Sequence, residues 1–154
     1  MDQSYLKSNE AARRRLNEFC SHLTDQDLAK PVSDGWTVAA VLAHLAFWDQ
    51  RAAILLWRWR ENGVEPSPID TDVVNDTVKV FCLALNPHTA MELCLSCAEL
   101  LDGELQRTEP ELLQQIEAKG TPLHLDRGKH RTEHLNELAR TVAASSLSAR
   151  AAPE

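Results

Sequence analysis

A chain of 154 residues has room for one domain with a sizeable core. Apolar residues make up 44% and charged residues 25%, the balance of an ordinary globular protein. The net charge of -7 speaks against a nucleic-acid-binding face or an acidic-lipid surface, because both call for a basic patch.

No uncharged apolar run reaches the roughly 20 residues that span a bilayer. The longest candidate, around Ala52 to Trp59, is broken by Arg51, Arg58 and Arg60. The opening MDQSYLKSNEAARRR has no apolar stretch of the signal-peptide kind. Membrane association is therefore not expected, and the expected location is cytoplasmic. Cys20, Cys82, Cys94 and Cys97 are even in number, but such a chain is expected to keep them as reduced core thiols.

Along the chain, residues 4–23 predict a first helix with Leu6, Ala12, Leu16, Phe19, Cys20 and Leu23 as its apolar stripe. Arg13, Arg14 and Arg15 fall mostly on its wet side. A capped turn from Thr24 leads to Ser33-Asp34-Gly35 and then to the longest predicted helix, Trp36 to Glu61. Thr37 is its N-cap residue and Asn62-Gly63 its stop. Val38, Val41, Leu42, Leu45, Ala52 and Leu55 recur there at helical spacing.

Asp70 to Leu85 is helical again, with Val73, Val74, Val78, Phe81 and Cys82 apolar. Asn86-Pro87 starts a further helix to Arg107, either separate or a kinked continuation. Thr108-Glu109-Pro110-Glu111 fits a capping box opening a short helix that ends by Gly120. Thr121 to Leu125 reads as extended, and Asp126 caps a last helix to about Ala144. Strand signals are almost absent. The expectation is an all-α chain: an up-down four-helix bundle with short accessory helices over 1–145, and a disordered tail over 146–154.

Two separated stretches carry histidines of interest. His130 and His134 in DRGKHRTEHLNEL are four apart, on one helix face and about 6 Å apart along the axis. Such a pair is a common way for one helix to give two ligands to a metal. His44 lies about seven residues into its own helix, and His130 and His134 lie four and eight residues after Asp126. If the second and fourth long helices run parallel, all three reach a similar height in the bundle. Three neutral imidazoles leave a coordination position open for water or substrate and suit Zn²⁺ or Ni²⁺ over Mg²⁺ or Ca²⁺. Core or hydrogen-bonding roles for the same histidines are the competing account.

With those residues in view, GWTVAAVLAHLAFWDQRA, the start Ile69-Asp70-Thr71-Asp72-Val73-Val74-Asn75 and the closing LDRGKHRTEHLNEL resemble the DinB/YfiT-like metalloenzyme superfamily. The likeness covers residues 4–145 and is nearest to the branch with a tryptophan just before the second helix. It implies a four-helix bundle and a metal held by His44, His130 and His134. It also implies thiol chemistry, since characterised relatives include S-transferases using bacillithiol or mycothiol and a mycothiol-dependent maleylpyruvate isomerase.

The expected function is that of a metal-dependent enzyme of the S-transferase type, with a small-molecule thiol and an electrophilic substrate as partners. The alternatives are a hydrolase using bound water and a non-catalytic metal-binding or sensing module. Asn75 is a candidate for orienting a ligand, and Glu133 or Asp49 for a base. His124 precedes the last helix and could approach the open position, while His22 and His88 look incidental. Ala90, Cys94, Cys97 and Leu101 form one helical stripe, so the CxxC spacing reads as core packing. Leu56, Trp57 and Trp59 suggest a homodimer face, with packing under the Asp70 to Leu85 segment as the alternative use.

Overall fold

In the computed structural model, residues 4–119 and 124–150 are described, the last six by backbone alone. They form helices α1 (Ser4–Ser21), α2 (Asp25–Leu28), α3 (Val38–Asn62), α4 (Thr71–Ala84), α5 (Pro87–Arg107), α6 (Pro110–Ala118) and α7 (Arg127–Arg150), with a 3-10 turn at Ser33–Gly35 before α3. The architecture is all-α.

Side chains fix most of the helix ends. Thr24 and Asp27 close a capping box around α2. Thr37, Asp70 and Asn86 accept from the first-turn amides of α3, α4 and α5. Gly63 ends α3 at φ 81, a left-handed backbone that a Cβ would strain. Asp126 accepts from Lys129 N at 3.3 Å and opens α7.

Two ends differ from expectation. Leu85 is extended at ψ 146, so α5 is a separate helix and not a continuation of α4. Thr108 caps nothing ahead of it. Its hydroxyl donates back to Glu104 O at 2.6 Å in the last turn of α5, and α6 starts from Glu109 with no side-chain cap. The backbone of α7 continues past Ala144 to Arg150. Gly120, the expected stop of the short helix, residues 121–123 of the expected extended stretch and residues 151–154 of the expected tail lie outside the described residues.

The long helices α1, α5, α3 and α7 pack in a ring, each against the next, and α7 closes it against α1. Contacts fix their directions. Asn9 meets Gly128, and pocket-lining Phe19 and Leu23 meet Val142, so α1 and α7 are parallel. Gln50 meets Cys97 and Arg60 meets Glu104, so α3 and α5 are parallel as well. Ser33 meets Glu137 and Asp49 meets Arg127, so α3 and α7 are antiparallel. The long helices thus run up, down, down and up. The simple alternation expected from the sequence does not hold, because α4 is itself the return pass, running back along α3 with Asn75 at Trp48 and Lys79 at Asp34.

Leu56 and Trp59 are buried with Val64, Leu101, Leu105 and Leu113 in one of two core groups. These three residues therefore do not form an exposed face, since Leu56 and Trp59 are core and of the three only Trp57 reaches the surface. Among the described residues, α3 is the one helix long and apolar enough to cross a membrane, and it is mostly buried inside the ring.

One ion joins all four long helices. Arg131 of α7 is fully buried. Its Nε donates to Asp49 Oδ2 of α3 at 2.9 Å, and its Nη1 donates to Asp102 Oδ1 of α5 at 2.9 Å. Nη1 also reaches Asn9 O of α1 at 3.3 Å, and Nη2 reaches Ala98 O at 3.3 Å. Burial works against its charge, but the carboxylates of Asp49 and Asp102 outweigh burial and raise its pKa.

Nearby, Gly128 lets α7 touch α1. A Cβ there would stand 2.4 Å from Ser8 Oγ and 2.6 Å from Ser8 O. Its amide donates to Asn9 Oδ1 at 2.7 Å. Replacing Arg131 by Met keeps the volume but takes from Asp49 and Asp102 the one fully buried cation they share. Each is left with a single guanidinium, Arg127 and Arg13 respectively, a loss on the order of 3 kcal/mol. Urea unfolding of R131M is expected to show a midpoint shift of that size, and a shift below about 1 kcal/mol would refute the keystone role.

Candidate metal centre

The site grows from the first two turns of α3 and of α7. On α7 the core stripe is Arg131, Leu135, Leu138 and Val142. His130 and His134 are displaced from that stripe by one residue and are half-buried at its edge. On α3, His44 is buried and faces them. The ring centroids lie 5.5 Å (His44 to His130), 5.0 Å (His44 to His134) and 4.9 Å (His130 to His134) apart. One nitrogen from each ring falls within 4.8 Å of the others.

The structure therefore brings together the three histidines singled out in the sequence. The depth argument that grouped them assumed parallel helices, whereas α3 and α7 run antiparallel. The antiparallel start of α3 lies opposite Glu137, so its second turn meets α7 at His134 and His130.

Neutral nitrogen is what a divalent transition metal takes, and burial secures it here. Burial, then His134 and Arg127, lower His44 to about 4. Burial, then Arg127 and the other two rings, lower His130 to about 2. His134 is lowered by burial and Arg127 against the pull of Glu137 and Glu133. His44 Nδ1 is buried with no hydrogen-bond partner, a costly arrangement for a polar atom that an ion would relieve. The donor set and this orphaned nitrogen fit a divalent metal.

The rings open into a cavity of about 780 Å³. Trp36 and Trp48 flank His44 at 5.5 and 6.4 Å between ring centroids. Asn75, Asp76 and Lys79 of α4 form the outer wall. Lys79 donates to Asp34 O and sits 5.4 Å over the Trp36 ring.

Of the other candidates, Asn75 lines the cavity and accepts from Trp48 Nε1 at 3.1 Å, which leaves its amide N–H groups as donors. His124 is exposed at the cavity edge. Asp49 does not line the cavity: Arg127 and Arg131 hold one of its oxygens each. Glu133 is exposed and also stands outside the lining. Cys94 and Cys97 are buried, free thiols on the inner stripe of α5.

Sequence reasoning missed Arg127 and Glu137. Arg127 donates from Nε to Asp49 Oδ1 at 3.0 Å and from Nη2 to His130 Nδ1 at 2.8 Å. Glu137 accepts from Ser33 Oγ at 2.7 Å and approaches His134 Nδ1 at 4.0 Å. Both face the cavity from the same side of α7 as the histidines, three residues from His130 and from His134 respectively.

The lowered imidazoles fix a pH dependence. Above pH 6.5 the rings are neutral folded or unfolded. Below it the unfolded chain takes up protons that His44 refuses until about pH 4 and His130 until about pH 2, so stability falls with acidification. Thermal melts of chelator-treated protein should show Tm falling between about pH 6.5 and pH 4, with a shallower fall in a His44→Gln/His130→Gln variant. Equal slopes would refute the assignment.

A family model described as the mycothiol maleylpyruvate isomerase N-terminal domain matches residues 10–124. The match includes His44 and stops short of His130 and His134, so the α7 pair rests on the geometry above. No curated protein and no solved structure matches the chain. A family model matched over most of its length places the chain in the mycothiol maleylpyruvate isomerase N-terminal domain family, within the DinB/YfiT-like superfamily.

Proposed function

We propose that the chain is a metal-dependent enzyme that activates a low-molecular-weight thiol for attack on an electrophilic substrate, an S-transferase type of reaction. The observation that carries this reading is the convergence of His44, His130 and His134 within 4.8 Å at the wall of a cavity large enough for a small molecule. The family's link to mycothiol supports a thiol partner. A divalent ion held by these rings supplies Lewis acidity that makes a bound thiol or water nucleophilic near neutral pH. Three nitrogen donors favour Zn²⁺ or Ni²⁺ as that ion.

The chain's own residues do the rest. The tryptophans Trp36 and Trp48 make one wall apolar and exclude water beside His44. Asn75 offers amide donors to a bound substrate. Lys79, held over Trp36, gives the mouth a fixed cation. The free, buried thiols among the described residues suit a reducing, cytoplasmic setting.

Protein purified without an affinity tag and supplied with Zn²⁺ or Ni²⁺ is expected to hold one ion per chain by elemental analysis, and His44→Ala to lose it. The loaded protein should consume a chromogenic electrophile only when a thiol is present. Ester hydrolysis without thiol would instead establish the hydrolase, and a stably bound ion with neither activity would leave a metal-binding module.

A further inference from the structure

Arg127 is the first residue of α7, one turn before His130, and its side chain is one-tenth exposed. Asp49 clamps it at the root through Nε, and Arg131 holds the other oxygen of that carboxylate. The outer end of the guanidinium therefore has little freedom, and its Nη2 stands 2.8 Å from His130 Nδ1. A guanidinium only donates, so His130 gives its lone pair to this contact.

A neutral imidazole has one in-plane lone pair. His130 can offer Nδ1 to an ion only if Nη2 leaves it. It can offer Nε2 only if its proton sits on Nδ1, where it faces another donor. In either case Nη2 must turn away from the ring while Nε stays on Asp49. The space open to it is the cavity that Arg127 already lines.

The charges around it point the same way. Asp102 takes Arg13 and Arg131, and Asp49 takes Arg131 and Arg127. Three guanidiniums thus share two carboxylates, and one positive charge remains in a largely buried network beside the three histidines. A cation placed there opposes a second cation and favours an anion.

We infer that Arg127 couples the two ligands of this site: it opposes a metal ion alone and holds an anionic ligand, such as a thiolate, against the loaded centre. This rests on the metal-binding reading above and adds a specificity-determining residue to it. The test reads binding and needs no turnover. Co²⁺ is titrated at fixed pH into the parent, Arg127→Gln and Arg127→Lys, and azide is then titrated into each Co²⁺ form by its visible absorption.

Gln removes the charge and the strong donor, while Arg131 still holds Asp49. R127Q is expected to bind Co²⁺ about tenfold more tightly and azide about tenfold more weakly, as loss of one nearby charge predicts. R127K keeps the charge and should recover most of the azide affinity. A merely structural role moves both affinities the same way or neither, and either result in R127Q overturns the inference while leaving the metal site intact. Absence of Co²⁺ binding by the parent overturns the metal-binding reading itself, and this inference with it.

Discussion

The structure turns on one buried guanidinium. Removing Arg131 from water is costly, and replacing a buried ion pair by apolar residues is often harmless to stability. What an apolar side chain lacks is direction. Arg131 reads the positions of Asn9, Asp49, Ala98 and Asp102 at once, one point on α1, one on α3 and two on α5. Such a set of bonds is satisfied by one rotation and one register of α7. The histidine beside it inherits that rotation, and His134 follows one turn later on the same face. The convergence of the three histidines is thus a consequence of the polar network around Arg131.

The same network explains why the site lies off the bundle axis. The ring interior at this level is filled by Arg131, its two carboxylates and the leucines and alanines around them. A cavity had to form outside it, between the α3–α7 seam and the helix that stands apart from the ring. α4 supplies that wall. It packs chiefly on α3 and leaves Val73, Val80 and Phe81 exposed on its far side. Its inner side presents Asn75 and Lys79 to the cavity, tied to Trp48 and to the turn before α3. The break at Asn86-Pro87 is what lets α4 take this position, since α4 runs antiparallel to α3 and α5 runs parallel to it.

Much of this was legible in the sequence where the signal is local. Thr37, Asp70, Asn86, Gly63 and Asp126 mark helix ends by chemistry confined to one turn, and the structure puts the ends at those residues. The three histidines could be named because two share a helix face and the third sits on an apolar one. Helix direction could not be read, because Asn86-Pro87 permits α4 to count as a pass or as part of α5. Thr108 failed as a cap because α6 starts one residue later, from Glu109, and Thr108 closes α5 with its hydroxyl donating to Glu104 O. Arg131 and Asp49 were hidden for another reason: their partners lie 82 residues apart. A trace of them was present all the same. Arg131 is in register with Leu135 and Leu138, and Asp49 with Leu42, Leu45 and Leu56, so each is a charge on a core stripe. Opposite charges placed that way on two helices of one bundle have to find each other.

The electrostatics of the cavity follow from the same placement. Arg127 at its inner wall is positive, with half of its only carboxylate partner given to Arg131. The neighbouring imidazoles stay neutral because burial and that guanidinium both penalise their protonation. Among the other lining residues, Asp34, Asp76 and Glu137 bring negative charge against the ammonium of Lys79, and Glu137 stands 4.0 Å from His134 Nδ1. The cavity wall thus sets a fixed guanidinium beside His130 and a carboxylate beside His134, so the two ends of the α7 histidine pair meet opposite charges.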